Sequence, residues 1–112
     1  MRRALHLKRT EVVFLGAVML IMIDVAPIKA ASPEQGKRLA RLYCAKCHSI
    51  DKVSPSPLSI APPFRTLHER YPIDTLQESL AEGIVTGHPS MPEFRFDGDQ
   101  IDDLLSFLKT LE

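Results

Sequence analysis

Two cysteines and a histidine lie together in the segment Cys44-Ala45-Lys46-Cys47-His48. Cysteines three residues apart lie on nearly the same face of a helical turn. Their thiols can therefore add to the two vinyl groups on one edge of a haem, and the imidazole of His48 can reach the iron as proximal ligand. The spacing is typical of a c-type haem attachment site and predicts a protein that handles electrons.

A second axial ligand is expected in the segment His88-Pro89-Ser90-Met91-Pro92. A residue before proline is biased toward extended backbone, and the two flanking prolines stiffen the loop around Met91. The other three methionines precede residue 31, in a predicted signal peptide, so Met91 is the methionine left to bind iron. His88 is the competing ligand, although a His/Met pair is the known high-potential arrangement. His68 is expected to be exposed or hydrogen-bonded locally.

The proximal histidine needs an acceptor for its second ring nitrogen, which is usually a backbone carbonyl. Pro62 is the candidate, because the loop from Val53 to Pro63 contains four prolines and places a carbonyl rigidly. Arg65, Tyr71 and Arg95 are candidate contacts of the haem propionates, and a surface charge or ordinary packing explains each of them about equally well.

Three other interpretations of the cysteine pair are less favoured. A thioredoxin-like motif would need strands around it, and no strand-like alternation is visible in the sequence. A structural zinc site would need four ligands, whereas Cys44, Cys47 and His48 supply three at most. A plain disulfide would explain neither His48 nor Met91.

The first thirty residues are predicted to be a signal peptide, with cleavage near Ala30 and Ala31. Residues 1–11 carry four basic side chains, and an apolar run of 12 residues follows over 12–23. That run suits a signal-peptide core and is shorter than the roughly 20 residues that span a bilayer. An uncleaved membrane anchor is the alternative.

Residues 31–112 then form one small domain of 82 residues, with nine Lys/Arg against twelve Asp/Glu. A chain of this size buries a modest core and would gain from a covalently held haem around which helices pack. Its slight negative charge gives no indication of nucleic-acid binding.

Three main helices are predicted, which makes the domain all-α. The first begins at a cap formed by Ser32 and runs into the cysteine motif, and the second covers Ile73–Ile84. The third begins with a capping box of Asp97 and Gln100. Residues 66–70 are expected to form a single helical turn.

Acidic side chains cluster at the start of the third helix, at Asp99, Asp102 and Asp103. They favour the positive end of the helix dipole, and a solvated helix face explains them at least as well as steering of a docking partner.

With these elements in order, residues 32–112 resemble the class I cytochrome c family. Gly36 stands eight residues before Cys44, where that family places a glycine at the crossing of its first and last helices. Leu104 and Phe107 match the apolar and aromatic pair that crosses it, and residues 61–64 resemble the loop whose proline carbonyl binds the proximal histidine. One departure is that Ala40 replaces a frequent aromatic residue.

The resemblance implies a small class I cytochrome c fold and one haem c, bound covalently through Cys44 and Cys47 with His48 and Met91 as axial ligands. It implies a periplasmic monomer that carries single electrons between redox proteins and is not an enzyme. Two alternatives stay open: a haem enzyme or ligand sensor with a labile Met91, and an electron-accepting subunit of a dehydrogenase or oxidase.

Overall fold

The computed structural model describes residues 20–83 and 91–112. Within these ranges the regular backbone is helical and contains no strand, which confirms the all-α prediction. It comprises three α-helices and two short 3₁₀ segments: α1 (Pro33–Tyr43), a 3₁₀ helix (Phe64–Glu69), a 3₁₀ turn (Ile73–Thr75), α2 (Leu76–Glu82) and α3 (Gly98–Lys109).

Several predicted features lie outside the described residues. They are most of the predicted signal peptide, the competing ligand His88, and Ile84 and Gly87 at the end of the second predicted helix. Across residues 20–83 and 91–112, no helix is long and apolar enough to cross a membrane.

Helix α1 begins where the sequence predicts. The Ser32 hydroxyl accepts a hydrogen bond from the Gln35 backbone N–H at 3.3 Å, and Pro33 occupies the first helical position, where a missing N–H is tolerated. The helix buries Gly36 and Ala40 and leaves its charged side chains in solvent.

Helix α3 begins with the predicted capping box. The Asp97 carboxylate accepts from the Gln100 N–H at 2.9 Å, and the Gln100 side chain accepts from the Asp97 N–H at 3.1 Å. Near its other end, Lys109 Nζ donates to Asp74 Oδ1 at 2.6 Å, which ties α3 to the 3₁₀ turn before α2.

Gly36 lies where α1 crosses α3. A β-carbon built on Gly36 would overlap the carbonyl oxygen of Asp103 and would lie 2.7 Å from the β-carbon of Phe107. Glycine therefore allows the two backbones to approach each other closely. The contact with Phe107 confirms the crossing that the family resemblance implies.

The second predicted helix is shorter and less regular than expected. Residues 73–75 form a 3₁₀ turn, and the α-helix itself covers Leu76–Glu82. Gly83 has a φ of 99°, a left-handed conformation that favours glycine, and it marks the helix end as predicted. Ile73 and Leu80 are buried in the core that forms between α2 and α3.

Asp103 differs from the predicted solvated acidic face. Asp103 is only 4% exposed, and its carboxylate Oδ1 accepts a hydrogen bond from the Ser32 backbone N–H at 2.6 Å. The prediction was wrong for this residue because Asp103 is on the side of α3 that packs against α1. Asp99 and Asp102 are exposed, as expected for a solvated face.

Candidate functional site

The cysteine motif continues directly from the end of α1. The Cys44 N–H donates to the Ala40 carbonyl at 2.9 Å, and the N–H groups of Cys47 and His48 both donate to the Cys44 carbonyl. Residues 44–48 are thus wound into a tight turn that is fixed on the last turn of α1. Both cysteines carry free thiols rather than a disulfide.

His48 is buried and held in one orientation. Its Nδ1 lies 2.8 Å from the Pro62 carbonyl oxygen, and its ring centroid lies 4.9 Å from that of Phe64. A carbonyl oxygen only accepts, so Nδ1 carries the proton and Nε2 keeps its lone pair for a metal. The predicted role of Pro62 as acceptor is confirmed.

The loop that presents Pro62 is fixed at several points. The Phe64 N–H donates to the Ser49 carbonyl at 2.9 Å, and Arg65 Nη1 donates to the Ser54 carbonyl at 2.7 Å. Arg65 is a candidate propionate contact, and the structure gives it the backbone carbonyls of Ser54 and, at 3.5 Å, Asp51 as partners. The loop therefore holds the carbonyl that orients His48.

Asp51 forms a turn at the start of the same loop. Its Oδ1 accepts from the N–H groups of Ser54 at 2.6 Å and Val53 at 2.8 Å. The hydrogen bonds from the Ser54 backbone and hydroxyl, with that from the Val53 backbone, lower the pKa of Asp51 to about 2. The carboxylate is thus ionised at neutral pH and stabilises the turn as an acceptor.

Cys44, His48 and Met91 face the same space. They line both a cavity of about 370 Å³ and a smaller one of about 90 Å³ next to it, and Cys47 lines the smaller cavity. The larger cavity falls within the roughly 300–1,000 Å³ of ordinary ligand sites. Most of its other walls are apolar: Pro62, Phe64, Leu67, Leu76, Leu80, Phe94, Phe96, Leu104 and Leu108.

Burial in this apolar wall raises the pKa of the Cys44 thiol to about 11. The thiol therefore stays protonated at neutral pH. Because the thiolate is the nucleophilic form, burial makes Cys44 a weak nucleophile.

An aromatic cluster, consisting of Tyr43, Phe94 and Phe96, closes one side of the cavities. The Tyr43 ring meets Phe94 and Phe96 edge-on, each at a centroid distance of 5.6 Å. The Phe96 N–H also donates to the Leu80 carbonyl at 3.1 Å. The cluster thus connects the segment that follows Met91 to the helix that carries the cysteine motif.

Phe94 and Phe96 were not among the predicted site residues. A signal was present, because residues two apart in an extended segment point to the same face, and the sequence Phe94-Arg95-Phe96 has that spacing. The pattern is too short to stand out as a strand, and the segment belongs to none of the three predicted helices.

The remaining candidates are less central. Tyr71 lines the larger cavity, whereas Arg95 is exposed with its Nε 3.5 Å from Glu93. His68 is exposed, as predicted. The zinc alternative gains no support, because no group of three His, Cys, Asp or Glu side chains in the described part of the chain could hold a metal ion.

Comparison with known proteins identifies this arrangement. The family model described as Cytochrome c matches residues 33–112, from the start of α1 to the carboxyl terminus. The chain belongs to the cytochrome c family. Cytochrome c-552 of Bradyrhizobium diazoefficiens is 28% identical to this cytochrome over 94 residues, which are 84% of this chain and 88% of that protein.

Membership of the cytochrome c family means a covalently bound haem c and a role in carrying electrons. The site fits such a group. Two free thiols stand at the end of α1, His48 keeps Nε2 available, and Cys44, His48 and Met91 share the walls of one largely apolar space. The observed residues are those that a haem attached on one edge and enclosed by helices would need.

The aromatic cluster is expected to stabilise the fold of this cytochrome. Tyr43→Leu removes two edge-on aromatic pairs, each worth about 0.5–1.5 kcal/mol, so we expect the free energy of unfolding to fall by about 1–3 kcal/mol. Chemical denaturation of the haem-loaded protein measures this loss. Tyr43→Phe keeps both ring contacts and serves as the matched control. Equal free energies of unfolding for the two variants would show that the ring contacts do not stabilise the fold.

Proposed function

We propose that this chain is an exported, single-haem electron carrier with His48 and Met91 as axial ligands. Thioethers from Cys44 and Cys47 would hold the ring. The observation that carries the proposal is that Cys44, His48 and Met91 line the same cavities. The Pro62 carbonyl holds the proton on Nδ1 of His48, which leaves Nε2 free to bind iron. A haem iron in this space supplies a one-electron couple.

Each residue of the site has a separate task in this proposal. Pro62 keeps the His48 ring in the orientation and tautomer that bind a metal, and it makes Nε2 a better donor by polarising the Nδ1–H. Met91 supplies a neutral thioether, which favours reduced over oxidised iron. Phe64, Leu80 and Leu104 exclude water from the cavity, which also favours the less charged state.

Export is the first step of the proposed route. In the proposed route residues 1–30 direct the chain to the periplasm and are removed, and residues 31–112 fold around the haem. The periplasm oxidises free cysteine pairs, so in this route Cys44 and Cys47 must be joined to the haem as thioethers before they form a disulfide.

Redox proteins are the proposed partners, and the working form is proposed to be a monomer. Leu58 and Ile60 line the smaller cavity and are exposed to solvent, with 69% of Ile60 accessible. Apolar residues at such a rim let a partner approach closely and exclude water between the two redox groups.

The mass of the purified, exported protein tests the attachment. We expect the polypeptide plus one haem, which stays attached after denaturation because thioethers are covalent. The double variant with Cys44→Ser and Cys47→Ser should lose the haem on denaturation. Lys46→Ala lies between the two cysteines on an exposed side chain and should keep it. A wild-type protein without the haem mass would refute the proposal.

A further inference from the structure

Asp103 is a buried carboxylate next to the segment that precedes α1. Its side chain is 6% exposed, and Oδ1 accepts the Ser32 backbone N–H at 2.6 Å. Its cationic partner is Lys29, whose Nζ lies 3.5 Å from Asp103 Oδ2 and 3.9 Å from Asp99 Oδ2. A buried carboxylate is unfavourable unless hydrogen bonds and an opposite charge compensate its lost hydration.

Removal of residues 1–30 would take Lys29 away from this carboxylate. The same cleavage creates a new cation at almost the same place, because it frees the α-ammonium of Ala31, the residue directly before Ser32. One residue spans at most about 3.6 Å, so this ammonium lies within that reach of the Ser32 nitrogen that already contacts Asp103.

We propose that the Asp103 carboxylate is the binding site of the mature amino terminus. A signal peptidase hydrolyses the Ala30–Ala31 peptide bond with one water molecule. Ala30 leaves as a carboxylate with residues 1–29, and Ala31 gains the protons of an ammonium that pairs with Asp103. The proposal rests on the export proposed above and adds a residue that recognises its product.

The exchange strengthens the ion pair. The Lys29 side chain is 56% exposed and also lies close to Asp99, so water screens its attraction to Asp103. A long side chain also loses rotamer entropy when an ion pair holds it in one position. The Ala31 ammonium has no side-chain rotamers to lose and is positioned by the hydrogen bond between Ser32 and Asp103.

The pair also lies at the helix crossing. A β-carbon on Gly36 would overlap the backbone carbonyl of Asp103, so the backbone of Asp103 contacts α1. The side chain of the same residue contacts Ser32, in the segment that precedes α1. Charged residues on the helices that cross here include Asp99 on α3, and Glu34 and Lys37 on the first turns of α1.

The test uses the exported, haem-loaded protein. Intact mass and amino-terminal sequencing should give a chain that begins at Ala31. NMR titration of its α-amine should show a pKa raised above the ordinary value, with an acid dissociation constant about tenfold lower than that of a free terminus. A raised pKa means that the stabilisation is present at neutral pH and is lost as the pH rises through that pKa.

Asp103→Asn should return the α-amine pKa to its ordinary value. Asp102→Asn removes the same charge from the exposed neighbouring position and should leave most of the increase in the α-amine pKa unchanged. Where Asp103→Asn fails to fold, conversion of the α-amine of wild-type protein to a keto group provides the second measurement, and it should lower the denaturation midpoint.

Each result decides a different point. An uncleaved chain would refute both export and the terminus site, whereas a cleaved chain that begins elsewhere would refute only the site. A chain that begins at Ala31 with an ordinary α-amine pKa would also refute the site and leave export intact. Equal effects of Asp103→Asn and Asp102→Asn would show a general charge effect and refute specific pairing.

Discussion

Met91→Ala is expected to lower the reduction potential by on the order of 100 mV or more and to allow carbon monoxide to bind the reduced protein. The reason is that a thioether stabilises reduced iron, and axial ligands and their surroundings set haem potentials over a range of roughly 0.8 V. Redox titration and the optical spectrum measure both effects. Met91 borders both cavities together with His48, so in the proposed site its removal would leave the second axial position without a protein ligand.

His88→Ala is the matched control, because His88 is the competing ligand predicted from the sequence. It should leave the potential and the spectrum unchanged. The reverse pattern, an unchanged Met91→Ala protein and an altered His88→Ala protein, would assign the second axial position to His88. Carbon monoxide binding by the unaltered reduced protein would instead favour the alternative of a haem enzyme or sensor with a labile Met91.

Gly36→Ala is expected to destabilise the fold although alanine favours helices. The added methyl group would overlap the Asp103 carbonyl, which belongs to the backbone of α3 and cannot rotate away. Overpacking of this kind costs about 1–3 kcal/mol or more, against a gain in helix propensity of about 1 kcal/mol. We expect a net loss in the free energy of unfolding, measured by thermal or chemical denaturation.

Gly98→Ala provides the comparison, because it is also a helical glycine and a β-carbon built on it meets nothing within 4 Å. It should be neutral or slightly stabilising. If the two alanine variants were equally stable, the close approach of α1 and α3 would not depend on glycine.

Local signals in the sequence predicted much of the fold. The cap at Ser32 and the capping box at Asp97 and Gln100 each depend on residues three positions apart, and both form as expected. The cysteine motif and its histidine are also largely local, since the N–H groups of Cys47 and His48 donate to the Cys44 carbonyl and the turn continues directly from the end of α1.

Features that depend on distant contacts were harder to predict. Asp103 is indistinguishable in type and spacing from its exposed neighbours, and only its packing against a segment 71 residues away buries it. The aromatic cluster is similar, because Tyr43 and the two phenylalanines belong to separate elements that meet only in the folded chain. The 3₁₀ turn at Ile73–Thr75 has the same apolar spacing as a helix, and periodicity alone does not separate the two.

The crossing of α1 and α3 has a consequence for how the protein is made. Ser32 and Asp103 are 71 residues apart, so a chain synthesised from its amino end produces α1 long before its main partner exists. At roughly 5–20 residues per second, about 4–14 s separate the two ends of this contact. During that interval the growing chain lacks its largest helix pairing. A chain without its tertiary packing is the form of a polypeptide that can be threaded through a translocation channel.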